Sequence, residues 1–270
     1  MGSGAISYAG GRIIANRPLS LLHPPPPYIM EDFLIDVLAD SPYITVTSSG
    51  TATTAAAISA SAGDPVAGYG GWLAGATDDV DAEIDEVAVS GSATAGSGWR
   101  ADQVGTGVLV CEWAVSIPTA LTARQYFAGF SDDPTEGTGT NGALNIQTAY
   151  TLVDVADDAA GFIFSSLATV PTWWKIGSTD STVGSTMAAA NDAFLGVADT
   201  WIGLRVEVDV NGDSFFYSRA LRGGSLTSYG KTNVGLSPDV LLVPLFTAAP
   251  TTTTAVPWEI DYCFVAAGPI

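Results

Sequence analysis

Apolar and polar residues alternate most regularly between Trp201 and Ala220, and this segment predicts a β-hairpin. The apolar positions are Leu204, Val206, Val208 and Val210, and the polar positions between them are Arg205, Glu207 and Asp209. A period of two is typical of a strand with one buried and one solvated face. Asn211-Gly212 tolerates the positive φ of a tight turn, and Phe215 to Tyr217 begin the return strand.

Similar apolar runs recur through the rest of the chain. The strand candidates are 82–90, 104–117, 124–131, 143–153, 159–166, 171–177, 201–210, 214–221, 239–247 and 257–266. Turn-rich stretches such as SDDPTEGTGTNG separate them. About ten strands without a long helix predict an all-β sandwich or jelly roll over residues 72–270, and they exclude a parallel α/β architecture.

The first 71 residues have a different composition. Residues 1–30 hold Arg12 and Arg17 and no acid, and Pro24 to Pro27 form a stiff spacer. We interpret residues 1–40 as an extended N-terminal arm, either a frayed tail or a segment docked on a partner. A short helix is plausible over 31–40. Residues 41–71 are a small-residue linker or a first strand, and the pattern leaves both open.

The composition restricts the class of protein. The 270 residues carry 9 Lys and Arg against 28 Asp and Glu, a formal charge of −19. A field of this sign repels nucleic acid and anionic lipid, so we expect neither partner. The sequence shows no secretory signal and no apolar run long enough to cross a bilayer, which predicts a soluble protein made in a cytoplasm.

Metal and thiol chemistry have weak support in the sequence. Cys111 and Cys263 lie in apolar runs and are interpreted as inert core thiols, although a disulfide stays open. His23 is the only histidine. Acidic clusters could ligate calcium, but solvated acids on turns are the preferred interpretation, so neither a metal nor a cofactor is predicted. These clusters are Asp78-Asp79-Asp81, Asp132-Asp133-Glu136, Asp157-Asp158 and Asp209-Asn211-Asp213.

The order of the strands resembles that of the concanavalin-like jelly-roll proteins found in the virions of tailed bacteriophages. The segments that carry the resemblance are, in order, VLVCEWAVSIP, FAGF, AAGFIFSS, LRVEVDVNGDSFFYS, LLVPLF and WEIDYCFVA. The likeness spans about residues 72–268. It implies a capsid decoration, head-fibre or tail component that attaches to a lattice and performs no chemistry.

The same fold also occurs in family 16 glycoside hydrolases, and the strand DAEIDEVAV resembles part of their catalytic pattern. Val87 and Ala88 stand where the second catalytic glutamate is required, and Glu86 and Glu83 point to opposite faces of a regular strand. One histidine in a proline-rich arm cannot serve a Ser-His-Asp triad. We therefore predict no catalytic residues and no enzymatic activity.

The sequence hypothesis is a virion structural protein, a capsid decoration or cement subunit that its arm fastens to the major capsid protein or another virion protein. Contacts through the arm are assigned to Arg12, Ile13, Ile14, Arg17, Leu19, Leu21 and Leu22. A homo-oligomer, preferably a trimer, is expected. The alternative is a carbohydrate-binding tail or head-fibre adhesin. Trp72, Trp173 and Trp174 are candidate ligand or interface aromatics, with one of the adjacent pair facing outward.

Overall fold

Two antiparallel sheets form the body of the protein in the computed structural model. The structure describes some residues with their side chains and, for the other residues of the strands named below, only the backbone. The residues described with their side chains are 74–77, 85, 87–89, 98–118, 120–132, 156–166, 171–179, 194–220, 224–232 and 234–268.

Sheet I contains the hairpin that the sequence predicts between Trp201 and Ala220. Its spatial order is β1 (Ile6–Ala9), β2 (Arg12–Ala15), β3 (Tyr28–Glu31), β20 (Pro257–Gly268), β8 (Val108–Ser116), β16 (Ile202–Asp209), β17 (Ser214–Ala220) and β18 (Thr227–Lys231). β6 (Trp72–Ala76) also pairs with β20, and β5 (Ala56–Ile58) pairs with β6.

Sheet II packs against sheet I. Its order is β14 (Thr182–Val183), β13 (Thr172–Thr179), β12 (Ala159–Ser165), β9 (Arg124–Ser131), β19 (Val243–Pro250), β7 (Asp85–Val89) and β4 (Ile44–Ser48), with β15 (Asp192–Leu195) beside β13. β10 (Leu144–Thr148) and β11 (Thr151–Asp154) form a separate hairpin. One 3-10 turn, Ala101–Gln103, precedes β8. This all-β arrangement confirms the predicted jelly-roll sandwich.

The core lies between the inner faces of the two sheets and is rich in aromatic rings. Trp113 of β8 packs on Phe246 of β19 with ring centroids 6.2 Å apart, and Phe246 contacts Trp258 of β20 at 5.9 Å. Cys111 and Cys263 are buried in the same cluster and are not joined by a disulfide, which confirms their interpretation as core residues. Their register separates them, because Cys111 lies opposite Val265 while Cys263 lies opposite Trp113.

Sheet II is buried on both faces, which corrects one expectation. Trp173 belongs to the core between the sheets, whereas Trp174 belongs to a second apolar cluster on the opposite face, with Phe127 and Ile163. Each tryptophan is only 2% exposed. The expected outward-facing tryptophan of this pair is therefore wrong: adjacent strand residues do point to opposite faces, but here the second face is covered as well.

The hairpin turn between β16 and β17 follows the sequence prediction. Gly212 adopts a φ of +85°, which non-glycine residues rarely tolerate. The Asp209 carboxylate accepts hydrogen bonds from the backbone N–H groups of Asn211 at 2.9 Å and Asp213 at 3.0 Å. The Asp209 carboxylate thus serves the turn itself, as in Asx-type turns, whereas the Asp213 carboxylate pairs with Lys231 at 2.9 Å.

The segment predicted as an arm contributes three of the described strands. β1 and β2 form a hairpin, β2 meets β3 at Arg12 and Glu31, and β3 pairs with β20. Glu31 therefore ends a strand, while the rest of the helix proposed for 31–40 lies outside the described residues. Residues 41–71, for which the sequence leaves a linker and a first strand open, contain the strands β4 and β5.

Candidate functional site

The outward face of sheet I carries a row of charged and aromatic side chains, here called the Glu112 face. The pairing register of the strands identifies its members, because residues that are directly paired on neighbouring strands lie on the same face of the sheet. Glu112 of β8 lies beside Arg205 of β16 and Phe264 of β20, and Arg205 lies beside Tyr217 of β17. The members of the Glu112 face are Glu112, Arg205, Glu207, Phe215, Tyr217, Arg219, Tyr262 and Phe264.

Glu112 is the centre of this face. Its Oε1 accepts hydrogen bonds from Arg219 Nε at 2.7 Å and from the Tyr262 hydroxyl, and Arg219 Nη2 lies 2.5 Å away. Its Oε2 lies 3.6 Å from Arg205 Nη1. The Glu112 side chain is only 2% exposed, so removing these partners would leave a buried, uncompensated charge.

A second carboxylate repeats this arrangement one row away. Glu207 Oε1 accepts a hydrogen bond from Arg205 Nε at 2.7 Å and lies 2.6 Å from Arg205 Nη2. Tyr217 lies beside Arg205 in the register, and burial, with a contribution from Glu207, raises the pKa of the Tyr217 phenol. Both carboxylates of the face are therefore held by guanidinium groups, and Glu112 also by a phenol, and such charge-assisted contacts fix the side chains in place.

Gly203 makes room for the central contact. It lies directly beside Arg219 in the register, and a Cβ on Gly203 would approach Arg219 Cγ at 3.0 Å and Glu112 Oε1 at 3.2 Å. The absence of a side chain lets Arg219 cross β16 and reach the carboxylate on β8. Arg219 Nη2 also donates to the Tyr262 hydroxyl at 2.8 Å, which closes a three-membered network.

A β-bulge in β20 turns Tyr262 toward the network. The register shifts between Ile260, opposite Val115, and Tyr262, opposite Ala114, so Asp261 is the extra residue. Bulges re-aim side chains in this way. Ile260 and Cys263 both face the core, and Tyr262 between them faces outward.

The two tyrosines of the face remain neutral donors. Burial raises the pKa of Tyr262 far above its ordinary value, and the adjacent Glu112 carboxylate raises it further. Burial also raises the pKa of Tyr217, with a further contribution from Glu207. Arg219 stays 39% exposed, and its Nη1 group takes no part in the network. The face therefore offers water-accessible donors on a rigid, aromatic-flanked support.

None of the residues assigned to partner binding in the arm has a described side chain. Arg12, Ile13 and Ile14 form part of β2, whose side chains lie outside the described part of the chain. The remaining arm residues, Arg17, Leu19, Leu21 and Leu22, also fall outside it. Trp72 begins β6 opposite Ile58, and its side chain is likewise not described.

Two acidic clusters that are far apart in sequence meet at one end of the sandwich. The backbone N–H of Asp158 donates to Asp132 Oδ1 at 3.1 Å, and Asp158 Oδ1 accepts from Thr179 Oγ1 at 3.0 Å and from the Ser237 N–H at 2.5 Å. Burial, together with Asp158 and Asp157, raises the pKa of Asp132 to about 6. Within the described residues, no group of three potential metal-ligating side chains comes together.

The strand that resembles a glycosidase motif has a structural role at its described positions. Asp85 is fully buried and accepts a hydrogen bond from Trp258 Nε1 at 2.7 Å. Val87 packs in the core between the sheets. Glu83 lies outside the described residues. Asp85 is thus a core acceptor that ties β7 to β20.

Sequence reasoning did not identify the Glu112 face, although two signals point to it. Glu112 is a single acid within the apolar run VLVCEWAV, where a buried charge needs partners. The apolar positions of the last strand, Trp258, Ile260, Cys263 and Val265, break their period of two between the second and third members. A spacing of three there indicates the bulge that exposes Tyr262.

No family model and no curated protein matches the sequence. Among solved structures, the chain is similar to a protein of unknown function from Shewanella oneidensis MR-1, with a TM-score of 0.53 and 14% identity over 89% of this chain and 85% of that one. It is also similar to peanut lectin in complex with a 9-residue peptide, with a TM-score of 0.55 and 10% identity over 89% and 96% of the two chains. These likenesses establish a concanavalin-like jelly-roll fold.

No helix among the described residues is long and apolar enough to span a membrane.

Proposed function

We propose that the protein is a non-catalytic carbohydrate-binding protein and that the Glu112 face is its binding surface. The observation that carries the proposal is the pairing of two immobilised Arg–carboxylate units with the Tyr217, Tyr262 and Phe264 rings on one outward face. Sugars are recognised by hydrogen bonds to their hydroxyls and by apolar contact with aromatic rings. The lectin-like fold agrees with this function.

Arg219, the more exposed of the two arginines of the face, is the primary contact in this proposal. Arg219 is fixed by Glu112 through Nε and Nη2 and keeps Nη1 to donate to a hydroxyl. A donor that is already held in place loses little conformational entropy when it binds. Phe264 and Tyr217 lie on either side of the Glu112–Arg205 pair in the register and supply apolar contact with the sugar ring.

A binding role explains the carboxylates better than acid–base catalysis does. A retaining or inverting glycosidase uses a pair of carboxyl groups, one of which protonates the leaving group. Glu112 and Glu207 instead accept hydrogen bonds from guanidinium groups of the face itself, and Glu112 also accepts one from the Tyr262 phenol. We therefore propose that the bound glycan is not cleaved.

Glycan binding is tested by substituting Arg219 and a matched arginine. Arg219→Ala removes the proposed donor, and we expect binding to an immobilised glycan to weaken about tenfold or more. Arg100→Ala is the control, because Arg100 makes a similar bidentate contact with Asp102 in the segment before β8, away from the face. Equal binding by the two variants in isothermal titration calorimetry would contradict the proposed site.

A second candidate is the virion structural protein suggested by the strand order. Its specific support is the acid-free segment of residues 1–30, which carries Arg12 and Arg17 on a chain of net charge −19. In this proposal the segment anchors a trimeric decoration subunit to a capsid lattice, and the Glu112 face points outward from the virion. The two functions are compatible in a head-fibre or tail adhesin.

The anchoring role is tested by charge reversal in the segment. Arg12→Glu combined with Arg17→Glu should abolish co-sedimentation with particles, because the anchor would then carry the sign of the acidic body. Arg100→Glu combined with Lys231→Glu changes the net charge equally and should leave co-sedimentation intact. Retained attachment of the arm variant would rule out the anchor.

A further inference from the structure

We infer that the Glu112 face selects neutral glycans and excludes anionic ones such as uronates and sulfated sugars. The inference rests on the proposed carbohydrate-binding function and specifies its ligand class. Its basis is the charge balance of the face. Two guanidinium groups, on Arg205 and Arg219, face two carboxylates, on Glu112 and Glu207, in direct contact.

Pairing leaves no spare cation among the described residues of the face, because Lys231, which lies beside Phe215 in the register, is itself paired with Asp213 at 2.9 Å. A protein that binds an anionic sugar needs an arginine or lysine whose charge is not already neutralised, because a bound carboxylate or sulfate must otherwise compete with the resident acid. Arg219 places Nε and Nη2 on Glu112 Oε1, and Arg205 places Nε and Nη2 on Glu207 Oε1. The guanidinium groups can therefore donate to a hydroxyl but cannot neutralise a second anion.

The surroundings of the face strengthen the exclusion. Glu259 and Asp261 stand on β20 beside Tyr262, and Asp209 ends β16 beyond Glu207. Each of these acids is partly exposed. The chain as a whole carries −19. An anionic glycan would approach a neutral patch inside a negative field, which lowers both its encounter rate and its affinity.

A neutral ligand has a distinct dependence on salt. Its contacts are hydrogen bonds and ring packing, which ionic strength screens little, whereas attraction between unpaired charges weakens as the Debye length shortens. We expect affinity for the neutral glycan to change less than about twofold between 50 and 500 mM NaCl. Loss of that binding at high salt would overturn the inference.

The central experiment compares glycans that share a backbone and differ in charge. Suitable pairs are a β-glucan with its carboxymethyl derivative and a galactan with polygalacturonate, each titrated against the full chain. We expect the neutral member to bind about tenfold or more tightly, or to be the only member that binds. Equal or tighter binding of the anionic member overturns the inference and leaves carbohydrate binding intact. Failure of every glycan to bind refutes the proposed function itself.

Charge-neutralising variants locate the source of the preference. Glu207→Gln frees Arg205, and we expect the neutral-over-anionic ratio to fall by roughly three- to tenfold. Asp102→Asn is the matched control: it changes the net charge by the same amount, and its partner is Arg100, away from the face. Its ratio should stay at the wild-type value. An equal fall in both ratios would show that global charge sets the preference, and a wild-type ratio for Glu207→Gln would contradict the role of pairing on the face.

Discussion

Glu112→Gln provides a direct test of the network, because it removes the central charge while keeping the shape of the side chain. The carboxylate is 2% exposed and receives Arg219 and Tyr262 on Oε1, with Arg205 at 3.6 Å from Oε2. Breaking a fully buried ion pair costs about 3–5 kcal/mol. Arg219 is 39% exposed and can turn to water, and glutamine keeps one acceptor oxygen, so we expect a loss of about 2 kcal/mol in the free energy of unfolding.

This loss is measurable by urea unfolding followed through tryptophan fluorescence, and it corresponds to a fall in Tm of roughly 4–8 °C. Asp102→Asn should leave the urea midpoint unchanged, since Asp102 belongs to an exposed ion pair. A double-mutant cycle with Arg219→Gln should give a coupling free energy of about 1 kcal/mol or more. A Glu112→Gln variant within about 0.5 kcal/mol of the wild type, or a cycle without coupling, would refute Glu112 as the centre of the network.

Three further outcomes are expected. The pKa of Asp132 is raised to about 6, so the folded protein binds this proton more tightly than the unfolded chain does. The stability that the bound proton contributes is present at pH 4 and is lost as the pH rises through 6. Asp132→Asn should therefore raise the Tm at pH 8 and leave it unchanged at pH 4. Gly212→Ala should cost roughly 2–4 kcal/mol in urea unfolding, because φ is +85° and a Cβ would lie 1.9 Å from the Leu236 carbonyl oxygen. Cys111 and Cys263 should react with a thiol reagent only after denaturation, and rapid labelling of the native protein would contradict their burial.

The fold was largely predictable because its signals are local. The alternation from Leu204 to Asp209 corresponds to β16, and the turn at Asn211-Gly212 corresponds to the observed hairpin. One long candidate, 143–153, proved to be two short strands, β10 and β11. Periodicity identifies a strand well but indicates poorly where a strand turns back on itself.

The candidate site was harder to predict because its residues come from four strands. The contact between Glu112 and Arg219 spans 107 residues of sequence and needs both the register of β16 and the absence of a side chain at Gly203. The same limit affected Trp174, whose burial depends on a second apolar cluster behind sheet II. A period of two assigns a residue to a face, but it does not say what covers that face.

An NMR titration can locate the bound glycan on the surface of the protein. The Nε–Hε signals of the arginines report on each guanidinium separately when the full chain is titrated with a neutral oligosaccharide. We expect saturable shifts at Arg205 and Arg219 and none at Arg100 or Arg124. Arg124 donates to the carbonyls of Thr122 and Pro118, away from the face. Shifts at Arg100 or Arg124 with unchanged signals for Arg205 and Arg219 would place the glycan elsewhere and contradict the Glu112 face as the binding surface.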